Sequence, residues 1–137
     1  MTLSTVETTF PVRYAETDAM RIVHHSVYLV WFEEGRSAWF RSHLDDDRGF
    51  ALLEADGYFF AVTEVQARYR APARYGDRVK IKTRLVSARS RMFTMAYQVY
   101  NAPTMQLLAE AQTTHICVNR QGRAVSLPDS WITKLSM

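Results

Sequence analysis

Asp18 and His25 flank a stretch whose residue types could do chemistry on a carbonyl group. The run Tyr14-Ala15-Glu16-Thr17-Asp18-Ala19-Met20-Arg21-Ile22-Val23-His24-His25 leads straight into the apolar segment Ser26-Val27-Tyr28-Leu29-Val30-Trp31-Phe32. A carboxylate on a short loop therefore precedes the start of a helix. A helix start offers unpaired backbone N–H donors and a partial positive charge, and such donors stabilise an acyl oxygen that gains negative charge. A carboxylate a few residues earlier can reach the same carbonyl carbon, directly or through a water. The spacing thus suggests a site for acyl transfer made of Asp18, His25 and the amides that open the helix.

The rest of the chain must hold that loop in place. At 137 residues it is long enough for one domain, 1–137, with a true core. Its 47% apolar and 23% charged content is that of an ordinary globular protein, which argues against a disordered chain. Cys117 is the single cysteine, so no internal disulfide can form, and a reducing, cytoplasmic compartment is expected. The first ten residues carry neither a basic start nor an apolar run, so no secretory signal is read there. No stretch approaches the roughly 18 apolar residues of a membrane span. A net charge of +3 is too weak to argue for nucleic acid, but suits a small anionic ligand.

Hydropathy patterning gives the elements. Glu7 to Tyr14 alternates and predicts a strand, and Pro11, which has no N–H to donate, places it at a sheet edge. The spacing predicts a helix from His25 to about His43, apolar almost all round, and so wrapped rather than laid on a surface. Gly35 in its middle costs about 1 kcal/mol relative to Ala, a cost that close approach to a sheet would explain. Asp45-Asp46-Asp47 opens a short helix around Gly49 to Ala55. After Gly57 the period becomes two, giving strands over Thr63–Arg70, Arg78–Arg84, Met92–Tyr100 and Leu107–Val118, with a closing segment that ends near Pro128. The order implies an α+β fold, a long helix covered by a curved antiparallel sheet of about five strands.

That architecture with this loop resembles the hot-dog fold, and more narrowly the 4-hydroxybenzoyl-CoA thioesterase family of acyl-CoA thioesterases. The resemblance is carried by Val12-Arg13-Tyr14, Glu16-Thr17-Asp18, Val23-His24-His25, Tyr28, Phe32-Glu33 and Arg36. Tyr69 to Asp77 and Ala109 to His115 add to it, so that it spans about Phe10 to Pro128. It implies hydrolysis of an acyl-CoA to a carboxylic acid and free coenzyme A, with Asp18 as nucleophile or as base on water. A backbone amide at the helix start would polarise the carbonyl, with His25 beside the site and Tyr28 at the substrate. No cofactor is implied beyond the coenzyme A of the substrate. A homodimer or homotetramer is expected. Relatives carry Gly where this chain has Arg21, so Arg21 is expected to touch the acyl group.

Other groups have plainer readings. His24 and His25 could suggest a metal, but neighbouring helical residues point about 100° apart and no further ligand stands at a usual spacing, so none is assigned. Glu33 and Glu34 are expected to pair with Arg36 and Arg41 along the helix. His115 is read as structural, and Trp31 and Trp39 as core or interface. Arg68, Arg70, Arg78, Lys80, Lys82 and Arg84 would form one basic face if their strands were neighbours. With Arg74, Arg70 is expected to hold the phosphates of coenzyme A. RNA on that face is disfavoured, because stacking aromatics are not interleaved there. Two rival functions remain at this point: a hot-dog dehydratase, disfavoured for want of its His and Pro/Gly-rich pocket sequence, and a non-catalytic acyl-binding or scaffold subunit.

Overall fold

A computed structural model describes residues 5–135. Five strands form one antiparallel sheet: β1 (Val6–Pro11), β2 (Phe59–Tyr69), β3 (Arg78–Ala88), β4 (Met92–Asn101) and β5 (Leu107–Val118), in the order β1-β3-β4-β5-β2. The long helix α1 (Val27–Leu44) lies across it, followed by a short α2 (Phe50–Ala55). A further helix, α3 (Asp129–Leu135), closes the chain beyond the expected final segment. The α+β architecture is the one expected. β1 pairs only with β3, so Pro11 indeed sits on an edge strand.

The alternation read in β3 is realised as burial: Val79, Ile81, Thr83 and Leu85 face inward, whereas Arg78 and Arg84 are exposed. The helix buries Tyr28, Trp31, Phe32, Gly35, Arg36, Trp39, Phe40 and Leu44, a stripe at helical spacing. It packs chiefly on β1 and β3. Leu29 and Val30, on the other side, stay exposed, because a single five-stranded sheet covers only one flank of the helix. Gly35 shows why that position tolerates no side chain. A Cβ there would collide with the Thr83 hydroxyl of β3 and stand 3.2 Å from Ile81 Cγ2.

A buried polar chain crosses the core beneath the middle of the sheet. Arg36 Nη1 donates to the Tyr97 hydroxyl at 3.2 Å, Tyr97 meets Thr113 Oγ1 at 2.6 Å, and Thr113 meets His115 Nε2 at 2.7 Å. His115 stacks on Phe93. Burial, and after it the Arg36 charge, pushes its pKa down to about 3, so it is a neutral core histidine. Arg36 is thus engaged with tyrosine rather than with Glu33, and Arg41 donates to Ser37 Oγ at 2.7 Å. The expected helix ion pairs do not form: neither Glu33 nor Glu34 comes within 4 Å of either guanidinium, because Arg36 turns inward to the sheet.

The basic residues do not come from neighbouring strands: β4 and β5 stand between β2 and β3, although Arg68, Lys82 and Arg84 border one concavity that Glu7 and Glu110 also line. Lys80 and Lys82 also approach Glu7 at 3.7 and 3.8 Å, which offsets their charge. Among the described residues no helix is long and apolar enough to cross a membrane.

Candidate active site

The loop that carries Asp18 begins in a single 3-10 turn, Tyr14–Glu16, and is strapped at several points. Thr17 pairs with Val23, and Ile22 pairs with Arg74 of the β2–β3 connection. Asp18 N–H donates to the Ile22 carbonyl and Arg21 N–H to the Asp18 carbonyl, both at 2.9 Å. The result is a tight turn with Asp18 at its base. Arg21 closes it at φ 65°, in the left-handed region. That conformation suits Gly and explains why a relative would carry Gly there.

Glu16 anchors this loop to the helix. Its carboxylate is buried, and it accepts the Arg13 N–H at 2.7 Å, the Arg13 guanidinium at 3.1 Å and the Trp31 indole N–H at 2.9 Å. Burial alone would raise its pKa, but those donors outweigh it and hold the carboxyl below the usual range. The Glu16 carbonyl also accepts His24 N–H at 3.1 Å, which closes the loop on itself.

The amides entering α1 can be accounted for one by one. Ser26 N–H donates to His24 Nδ1 at 3.2 Å, and Val27, Tyr28 and Leu29 donate to the carbonyls of His24, His25 and Ser26. Only the N–H of His25 in this turn has no acceptor among the described residues. On the carboxylate side, Asp18 Oδ1 accepts Met20 N–H at 2.8 Å, and Oδ2 has no partner among the described residues. A free backbone donor and a free carboxylate oxygen are therefore held on one strapped loop. Asp18 and His25 do not bond to each other.

The imidazoles have separate surroundings. His24 Nδ1 lies 2.7 Å from Ser26 Oγ and accepts Ser26 N–H, which places the proton of the neutral ring on Nε2. The two histidines precede the helix, so their rings are not splayed at helical angles but lie 4.3 Å apart between centroids. Among the described residues no third metal-ligating side chain joins them. His25 is exposed and its ring edges toward Tyr69.

Tyr69, read from the sequence as a strand position and as part of the family resemblance but not as a site residue, closes one side of the site. Its hydroxyl donates to the His25 carbonyl at 3.2 Å, and its ring leans on Tyr28. Tyr28 itself is buried between Tyr69 and Trp31, and burial lifts its hydroxyl to a pKa of about 12. It therefore lies at the back of the site, with 3% of its surface exposed. Arg74 stands across from Ile22 with an exposed guanidinium, and Arg70, next to Tyr69, pairs with Glu110 at 2.6 Å. Arg21 is exposed and makes no ion pair with Asp18.

Residues 12–135 match the Thioesterase-like superfamily. The chain is 32% identical to the acyl-CoA thioester hydrolase YbgC of Escherichia coli O6:H1, covering 80% of this chain and 81% of that protein. Among solved structures it superposes on protein TT1821 of Thermus thermophilus with a TM-score of 0.87 and 38% identity, over 97% of this chain and 96% of that one. It also superposes on Slr0204, a 1,4-dihydroxy-2-naphthoyl-CoA thioesterase from Synechocystis, with a TM-score of 0.84 and 25% identity over the same shares. The overall fold is thus shared with these proteins over nearly the whole chain. The chain belongs to the hot-dog-fold Thioesterase-like superfamily.

Proposed function

We propose that the protein hydrolyses an acyl-CoA thioester to a carboxylic acid and free coenzyme A. The observation that carries this reading is the pairing of one free donor with one free carboxylate oxygen on the loop at the entrance to α1. The thioester oxygen lies on His25 N–H, which stabilises the negative charge that develops as the carbonyl becomes tetrahedral. Asp18 Oδ2 either attacks the carbonyl carbon or removes a proton from a water that does. The C–S bond then breaks and the thiolate leaves as coenzyme A after protonation; where water attacked, the acid is already formed, and where Asp18 attacked, a water then cleaves the Asp18–acyl anhydride to release the acid and restore the carboxylate. Arg74 and Arg70 flank the loop on the side where the phosphates of coenzyme A would run. Arg21, with its free guanidinium at the tip of the turn, selects among acyl groups.

The active form is a homodimer. β2 is an eleven-residue edge strand, and Val62, Val65 and Tyr69 along it are 48%, 41% and 47% exposed. A long exposed edge of this kind pairs with another strand unless it is protected, and a second copy of β2 extends the sheet and covers it. A thiol-release assay over a panel of acyl-CoAs tests the activity. Saturable release by the wild type, lost in a folded Asp18→Asn variant, supports it. Binding of acyl-CoA without release would make the protein an acyl-binding subunit instead.

A further inference from the structure

At the far end of α1 the structure holds a second concavity that the loop chemistry does not use. Trp39, Phe40, Leu85, Phe93, Leu127 and Ile132 wall an apolar cavity of about 180 Å³ beneath α3. Trp39 follows Ser26 by thirteen residues, which puts it about 20 Å along the helix from the Asp18 loop. The intervening core is filled by Phe32 and Ile81, both fully buried, so the cavity is not an extension of the first site. An apolar cavity of about 150 Å³ is large enough to take benzene and stays dry when empty. The present one therefore has room for a single ring or a short branched alkyl group, within walls that are apolar apart from the unpaired Trp39 indole N–H and the rim.

Its rim is of opposite character. Arg89 and Ser90 come from the β3–β4 turn and border the same space. The Arg89 guanidinium has no hydrogen bond, ion pair or ring contact among the described residues, and only its backbone N–H is used, by the Met92 carbonyl at 2.7 Å. The roof, α3, has no buried residue and ties back through Trp131 Nε1 to Asp56 Oδ2 at 3.0 Å. An apolar cup with one unpaired cation at its lip matches a small amphipathic anion.

We propose that this cavity is a binding site for a small monocarboxylate, whose ring or short alkyl group enters between Trp39, Phe93 and Ile132 while its carboxylate meets Arg89. The site is separate from the hydrolytic loop and does not depend on the hydrolase reading. Benzoate is a suitable probe, with toluene as its uncharged counterpart, followed by the shift of the Trp39 indole N–H resonance in NMR. Benzoate is expected to shift that resonance saturably, with a Kd in the millimolar range or tighter. Arg89→Ala, at an exposed position that leaves the fold intact, should weaken benzoate by about fivefold, the scale of an exposed ion pair, and leave toluene unchanged. Ile132→Trp, filling the cup, should abolish both. Asp18→Asn should change neither, which separates this site from the first. No saturable shift at Trp39 overturns the proposal. So does benzoate binding that is indifferent to Arg89→Ala, or that perturbs the His25 and Tyr69 resonances instead.

Discussion

Replacing Glu16 with Gln tests whether one buried carboxylate holds the reactive loop. In the wild type, Oε1 accepts Arg13 N–H and Oε2 accepts the Trp31 indole, with the exposed Arg13 guanidinium beside it. That guanidinium is open to water, so solvent screens its share. The two N–H donors dominate. A Gln of the same shape has one oxygen only, and its NH2 group must face either Arg13 N–H or Trp31 Nε1–H. A donor buried against a donor costs about 2–3 kcal/mol, and this is the expected loss at pH 7 in a urea titration. The pH dependence adds a second check. Burial raises the Glu16 pKa, but its donors more than compensate, so the folded value lies below the unfolded one, near 4.5. The carboxylate's contribution is then complete above about pH 4.5 and fades as the pH falls through the folded pKa. Gln does not titrate, so the gap between variant and wild type should close on acidification. Turnover should fall by about tenfold, because a looser loop misplaces Asp18. A gap below about 0.5 kcal/mol at pH 7, or one that is constant from about pH 6 to 3, would refute the anchoring argument.

Further expectations concern the site and its frame. Asp18→Asn should lower kcat by at least about two orders of magnitude with an unchanged melting curve, and near-normal thiol release would remove Asp18 from the chemistry. His25→Ala should cost about tenfold to a hundredfold, since the backbone donor remains; damage equal to that of Asp18→Asn would make the imidazole a primary catalyst. Gly35→Ala should destabilise by about 2–4 kcal/mol through its collision with Thr83, and adding Thr83→Ala should recover part of that in chemical denaturation; no recovery would point to helix geometry instead. Val65→Lys on β2 should shift the mass seen by sedimentation from dimer to monomer at micromolar protein, and a monomeric wild type would refute the pairing. Arg21→Gly should stabilise the turn by about 1 kcal/mol and reorder the acyl-CoA panel by more than about 1 kcal/mol in relative kcat/KM; an unchanged order would take Arg21 away from the acyl group.

What the chain determines locally was legible without coordinates. The period of two in β3, β4 and β5 survives as burial, because each of those strands lies inside the sheet and has one face on the core. The long helix and Gly35 within it were legible for a similar reason: a glycine in an otherwise strong helix signals close contact, and Thr83 supplies it. The loop of Asp18 stood out because a carboxylate ahead of a helix start is a local pattern. Its left-handed residue at Arg21 was legible only through the family resemblance, which implies Gly at that position.

Tertiary structure decided the rest, since contacts between distant residues leave no period in the sequence. Glu16 and Trp31 are fifteen positions apart and meet only when the loop folds back on α1. Arg36 looked like a helix ion-pair partner, yet it turns inward to Tyr97, sixty-one positions away. The basic strands β2 and β3 could have been neighbours until the sheet order set β4 and β5 between them. Even the choice of His25 N–H as the free donor depended on which neighbouring amides found acceptors, among them a histidine ring and carbonyls in the turn. Local pattern fixes which face of an element is apolar, but only the packed chain determines which polar groups find partners and which remain free to react.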